Sequence, residues 1–206
     1  MAGIRVAVLG AGNIGGTLGR KWVAAGHDVT FGVRDPHDAR AQALRTEAGE
    51  RAKIGSVDEA LAAGDVVVMA LPGPAMDETI ARYAAQLDGK TVVDAANRMG
   101  DAKRNSLATF QAHTPNARVY RAFNSYGWEN FAEPNFGGVA ADLFYAGPDG
   151  DSQATVEQLI ADVGLRPVRL GDVDQTATVD AVASLWFALA LGQRKGRHLA
   201  FKVLGD

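Results

Sequence analysis

Gly10, Gly12 and Gly15 stand at the spacing Gly-x-Gly-x-x-Gly, and Arg34 follows about 20 residues on. Glycines so spaced allow a tight turn that lets backbone approach a ligand closely. If the turn opens a helix, the free N–H groups of Gly12, Asn13, Ile14 and Gly15 and the positive end of the helix dipole suit a pyrophosphate. A second group, at the end of the next strand, selects the dinucleotide. A carboxylate there accepts hydrogen bonds from a ribose 2′-OH, whereas a guanidinium suits a 2′-phosphate. Here the strand ends in Gly32-Val33-Arg34, which biases the site towards NADP. The glycine spacing alone is weak, because a chain of 206 residues with 24 glycines yields about 0.3 such matches by chance. Its context has to carry the reading.

Three further segments have the composition of strand ends that meet a ligand. They are Ala70-Leu71-Pro72-Gly73-Pro74, Asp94-Ala95-Ala96-Asn97 and Asn124-Ser125-Tyr126-Gly127-Trp128. Leu71 and Pro72 bring a loop near a ribose or nicotinamide without competing polar groups. Asn97, Asn124, Ser125 and Tyr126 offer neutral donors and acceptors for an amide or a ring carbonyl. Each has a plainer alternative: asparagines after strands satisfy loop backbone, and Tyr126 and Trp128 suit a core with wet polar tips. Asp94 reads as a cap rather than a base. The four histidines form no metal-like pair and read as surface residues, and no serine sits in a nucleophile elbow. Without cysteine, thiolate nucleophiles and cysteine-ligated metals are excluded. A site lacking acid, base and nucleophile still suits hydride transfer between a nicotinamide and a second carrier, which needs positioning and exclusion of water.

The elements required to position these residues alternate regularly. Ile4 to Leu9 is an apolar run broken only by Arg5, as expected of a strand buried on both faces. From Asn13, residues Ile14, Leu18, Trp22 and Ala25 share a helical face that stops at Gly26. The pattern then predicts a strand over 28–31, a helix over 36–48 with Pro36 in its first turn, and a strand at 53–54. Ser56 and Glu59 form a capping-box pattern for a helix ending at Gly64. A strand over 65–70, a helix with Ile80, Tyr83, Ala84 and Leu87 on one face, a strand over 91–94, a helix over 104–112 and a strand over 118–123 follow. Such alternation implies right-handed crossovers and a mainly parallel sheet, a Rossmann-type doubly wound α/β fold. Beyond a loop at 130–138, a strand over 139–146, a helix carrying Val156, Leu159, Ile160 and Val163, a strand over 165–170 and a last helix from about Gln175 are expected. Residues 1–140 form the dinucleotide-binding domain in this reading, and 141–206 a small, dependent α/β extension on the same sheet.

A net charge of −3 argues against nucleic-acid or membrane-surface partners, which favour basic excess. The cluster Arg194-Lys195-Gly196-Arg197-His198 is too short to change that. The longest apolar run, Leu185 to Leu191, is far below the ~20 residues that span a bilayer and reads as a buried or dimer-forming helix. No signal-like segment precedes the first strand, so the expected location is the cytoplasm.

Gly10-Ala11-Gly12-Asn13-Ile14-Gly15, Gly32-Val33-Arg34, Val92-Val93-Asp94-Ala95-Ala96-Asn97 and Ala122-Phe123-Asn124-Ser125-Tyr126-Gly127-Trp128 resemble the NADPH-dependent oxidoreductases of the deazaflavin coenzyme F420. The likeness runs on through Leu159 to Gly164 and Leu199 to Lys202. It implies a Rossmann domain with a small extension, a homodimer, and hydride transfer between NADP(H) and the deazaflavin. It assigns cofactor contact to Gly10, Gly12, Asn13, Ile14, Gly15, Val33, Arg34, Ala70, Leu71, Pro72, Ala95, Asn97 and Asn124. The chain departs from the family at Ala11, Val33 and Asp38, where Thr, Ser and a basic residue are usual, which leaves Arg34, helped by Arg40, to set the NADP preference. Ser125-Tyr126 replaces the family's Thr-Ile against the rings, so a catalytic pair at Ser125 and Tyr126 is a second possibility. Tyr126 would then donate a proton to a small C=O or C=N substrate. A nucleotide-sensing protein without turnover is a third.

Overall fold

The structure is a computed structural model that describes residues 3–100 and 104–205. In chain order it runs β1 (Arg5–Leu9), α1 (Asn13–Ala24), β2 (Asp28–Gly32), α2 (Ala39–Ala48), β3 (Ala52–Gly55), α3 (Val57–Ala63) and β4 (Val66–Met69). Then come α4 (Met76–Arg82), α5 (Ala84–Leu87), β5 (Thr91–Asp94), α6 (Leu107–His113) and β6 (Arg118–Arg121). The remainder is α7 (Glu129–Ala132), β7 (Asn135–Phe136), β8 (Val139–Ala140), β9 (Asp142–Tyr145), α8 (Asp151–Val163), β10 (Arg166–Arg169) and α9 (Thr176–Phe187). A π-helical turn over Ala188–Gly192 continues α9.

β1 to β6 form one parallel sheet in the order β3-β2-β1-β4-β5-β6, the doubly wound Rossmann order, with the reversal of direction between β1 and β4. The strands are buried on both faces, which explains their unbroken valine runs. Val6, Val8, Phe31 and Val68 pack against Leu18 and Trp22 of α1 and Leu159 and Ile160 of α8. Ala7, Leu9, Val67, Met69 and Val92 pack against Leu61, Met76, Ile80 and Phe110 on the opposite face. The Trp22 indole N–H donates to the Leu159 carbonyl at 2.9 Å, tying α8 to the first helix.

Several expectations need correction. Residues 139–146 and 165–170 do not continue the large sheet. β9 and β10 form their own parallel pair, joined to β6 only by a bridge between Arg121 and Ala146. α2 starts at Ala39 and not at Pro36, because Asp38 caps it by accepting from the Arg40 N–H at 2.9 Å. The helix expected to hold both Ile80 and Leu87 breaks at Tyr83, and α6 begins at Leu107. His27 is buried: its Nδ1 accepts from the Ile4 N–H at 3.0 Å and its Nε2 lies 2.7 Å from Asp162 Oδ2, fixing the tautomer with the proton on Nε2.

Candidate functional site at the carboxyl ends of the parallel strands

The turn after β1 has the geometry a phosphate requires. Gly10 has φ +104°, and a Cβ there would lie 2.5 Å from the Ala70 carbonyl oxygen. At Gly15 a Cβ would lie 2.0 Å from the Gly10 carbonyl oxygen, so this glycine is needed to seat α1 on the turn. Around Gly12 there is open space. No side chain caps α1 and no acidic residue lies in its first turn, so the N–H groups of Gly12, Asn13, Ile14 and Gly15 face outward with the helix dipole behind them.

At the end of β2, the Val33 N–H donates to the Gly55 carbonyl at 3.0 Å, and the following Arg34 side chain is exposed. No carboxylate among the described residues pairs with Arg34 or Arg40. Asp38, which stands where a second basic residue is usual, is committed to capping α2. Ala70 lies beside β1, its N–H donating to the Leu9 carbonyl at 2.9 Å, and Leu71 and Pro72 follow at the rim. Gly73 is packed against the next loop: a Cβ there would lie 2.6 Å from the Asn97 carbonyl oxygen. The Ala95 N–H donates to the Met69 carbonyl at 3.1 Å. All thirteen expected cofactor positions therefore lie at one edge of the sheet, along the crevice flanking the reversal point.

The far end of that edge is built on Arg121, a residue the sequence reading passed over. It is 1% exposed. Its Nε and Nη2 donate to Asp180 Oδ1 at 2.9 and 2.7 Å, and its Nη1 lies 3.1 Å from Asp94 Oδ1. Nη1 also donates to the Asp94 and Ala96 carbonyls, and Nη2 to Asn97 Oδ1 at 2.9 Å. Asp94 accepts from the Ala96 and Ser106 N–H groups, the capping role expected of it. Burial pushes its carboxyl up, against the pull of Arg121 and those two donors. The available signal was a charged residue inside each of two apolar runs, Arg121 after Val119-Tyr120 and Asp180 between Val179 and Ala181.

Asn97 is spent on this frame, with its Nδ2 donating to the Asn124 carbonyl at 2.7 Å. Asn124 donates to Asp180 Oδ1 at 3.2 Å, while its own Oδ1 is buried without a partner. Phe123 holds a φ of +61°, a region that bulky residues enter only when the surroundings impose it. Here the surroundings are Trp22 and Phe131, edge-on to the Phe123 ring at 5.8 and 5.7 Å.

Ser125 and Tyr126 do not line the crevice. The Ser125 side chain is fully buried and its Oγ finds no partner. The Tyr126 phenol donates to the Asp142 carbonyl at 2.5 Å and accepts from the Phe201 N–H at 3.2 Å. Burial pushes its pKa up. A hydroxyl so engaged is a core anchor and not a proton donor to a substrate in the crevice. The basic cluster near the C-terminus is also structural: Arg197 pairs with Glu129 at 2.5 Å and covers Trp186, and His198 stacks on Phe136.

Residues 5–98 match the protein family described as coenzyme F420-dependent NADP oxidoreductase. The matched residues hold the glycine turn, Arg34 and the loops after β4 and β5, the elements that line the candidate cofactor crevice. Among solved structures, the chain is similar to a protein from Arthrobacter sp. FB24 described provisionally as an F420-dependent NADP reductase. That pair has TM-score 0.82 and 24% identity over 98% of this chain and 100% of the other. A hypothetical protein, SMa0349 of Sinorhizobium meliloti, superposes with TM-score 0.68 and 27% identity over 98% and 96% of the two chains. An imine reductase of Aspergillus terreus, solved with NADPH4 and dibenz[c,e]azepine, shares the fold at TM-score 0.67 and 19% identity. That match covers 93% of this chain and 64% of the other.

Proposed function

We propose that the chain binds NADP(H) and transfers a hydride between its nicotinamide and the deazaflavin coenzyme F420. The observation that carries the reading is the chemistry where the nicotinamide would lie. The polar groups at the strand ends there are tied into structure: Asn97 and Asn124 belong to the Arg121 frame, Asp94 and Asp180 pair with Arg121, and Tyr126 bonds to Asp142 and Phe201. Hydride exchange between two bound carriers needs positioning, the proton that the deazaflavin gains at a ring nitrogen being exchanged with water, whereas reduction of a C=O or C=N group calls for a proton donor placed at the reacting atom. The burial of Tyr126 thus removes the observation that favoured a small organic acceptor. NADP over NAD is supported by Arg34, exposed and without a carboxylate partner among the described residues.

Purified protein mixed with NADPH and oxidised F420 should lose the absorbance of both together. No turnover with both at saturation would rule out this acceptor. Tight NADPH binding without oxidation by any carrier would instead favour a nucleotide sensor. The same reading includes a homodimer, supported by Leu185 and Leu191, which are 51% and 47% exposed on and beyond α9. Light scattering at a monomer mass would remove that part.

A further inference from the structure

Between α6 and α9 lies a cavity of about 700 Å³, within the range that holds a small organic molecule. One wall is Ser106, Leu107 and Gln111, and the other is Thr176, Ala181 and Ser184. Arg98 and Arg104 also line it, each with a buried N–H that has no partner among the described residues: Nε of Arg98 and Nη1 of Arg104. Unpaired buried donors on cations are costly and call for an acceptor.

The charges around the cavity do not cancel. Asp77 pairs with Arg98, and the Asp180 carboxylate is taken by Arg121, Asn105 and Asn124. Arg104 lies over the Phe187 ring at 5.2 Å and has no carboxylate partner among the described residues. Among the described residues the lining therefore holds one uncompensated cation, Arg104, and two orphan donors. The cavity also adjoins the proposed hydride site, since Arg98 follows Asn97, and Asp180 is bonded to Asn124.

We infer that this cavity binds an oxyanion, a phosphate or carboxylate borne by the second substrate, through Arg98 and Arg104. Calling the ligand the second substrate rests on the proposed function; the anion site itself does not.

The test uses inorganic pyrophosphate as probe, titrated calorimetrically into protein already saturated with NADP⁺, so that the cofactor's own phosphate positions are filled. The wild type should bind it, Arg104→Gln should weaken binding at least tenfold, and Arg104→Lys should restore most of it. Because Arg98 also supports Asp77 and Ser106, the second variant is Ala181→Asp, on the exposed side of α9. It adds a repelling charge to the cavity wall and should weaken binding to a similar degree while leaving NADP⁺ affinity unchanged. Absence of pyrophosphate binding by the wild type, or binding by Arg104→Gln and Ala181→Asp as tight as that of the wild type, overturns the site. If pyrophosphate binds as expected while F420 is not turned over, the site stands and only the proposed acceptor falls.

Discussion

At the scale of single residues, the same letter serves opposite roles according to what surrounds it. Arg34 and Arg121 are both strand-end arginines; one is exposed and unpaired among the described residues, the other is buried in a frame of carboxylates and carbonyls. Replacing Arg34 by Ala should leave stability unchanged and raise KM for NADPH tenfold or more, since a charge-assisted contact contributes roughly 1.5–3 kcal/mol. KM for NADH should hardly move. Equal effects on the two cofactors would show that Arg34 does not meet the phosphate. Tyr126→Phe separates the core role from the catalytic one. It removes a buried hydroxyl that both donates and accepts, so it should cost about 1 kcal/mol, or roughly 2–4 °C in Tm, with kcat unchanged. A kcat loss without a Tm loss would reinstate Tyr126 in the chemistry.

At the scale of elements, the glycine turn shows how packing and ligand demand divide one motif. A Cβ at Gly15 strikes the Gly10 carbonyl, while a Cβ at Gly12 meets nothing within 4 Å. Gly15→Ala should therefore destabilise the protein by about 1–3 kcal/mol in a melting experiment without cofactor. Gly12→Ala should melt like the wild type yet raise KM for NADPH several-fold, since only a bound pyrophosphate would meet the added methyl; a lower Tm for the cofactor-free variant would contradict this. The motif was legible because its constraints are local. So were Val66–Met69, which must be apolar on both faces, and α3, whose Ser56 and Glu59 do form the capping box. The start of α2 was misread because Pro36 and Asp38 are both good first-turn signals and only the cap geometry chooses between them. The Arg121–Asp180 link joins residues 59 apart in sequence, with no period or spacing to announce it. The choice between a core and a catalytic Tyr126 was not legible for the same reason: its partners come from β9 and the C-terminal tail.

At the scale of the whole molecule, residues 141–206 pack on the Rossmann sheet through α8 and bond to it through Trp22 and Arg121, and the question is what holds their own strands and tail together. Asp142, with its side chain fully buried, ties the elements of this extension to one another. Its carboxylate takes a two-pronged contact from Arg166 at 2.7 and 2.6 Å, the Lys202 ammonium at 2.9 Å and the Val203 N–H at 2.7 Å. It thereby joins β9, β10 and the tail that carries Phe201 back to Tyr126. Burial works against ionisation, but these four donors prevail and lower its pKa to about 2 from the ordinary 3.8. A carboxyl whose folded pKa is depressed contributes stability that is fully present above its unfolded pKa and is lost as pH falls towards the folded value. The window is thus about pH 4 down to about pH 2, and the contribution at neutral pH is about 2 kcal/mol. Asp142→Asn should therefore lower Tm at pH 7, with the gap to wild type narrowing as the pH is taken from about 5 to about 2. The first structure lost should be the tail, read as faster amide exchange at Phe201 and Val203 while β1 and β4 stay protected. A gap independent of pH would mean that the variant acts through packing, and that the carboxylate charge does not hold β9, β10 and the tail together.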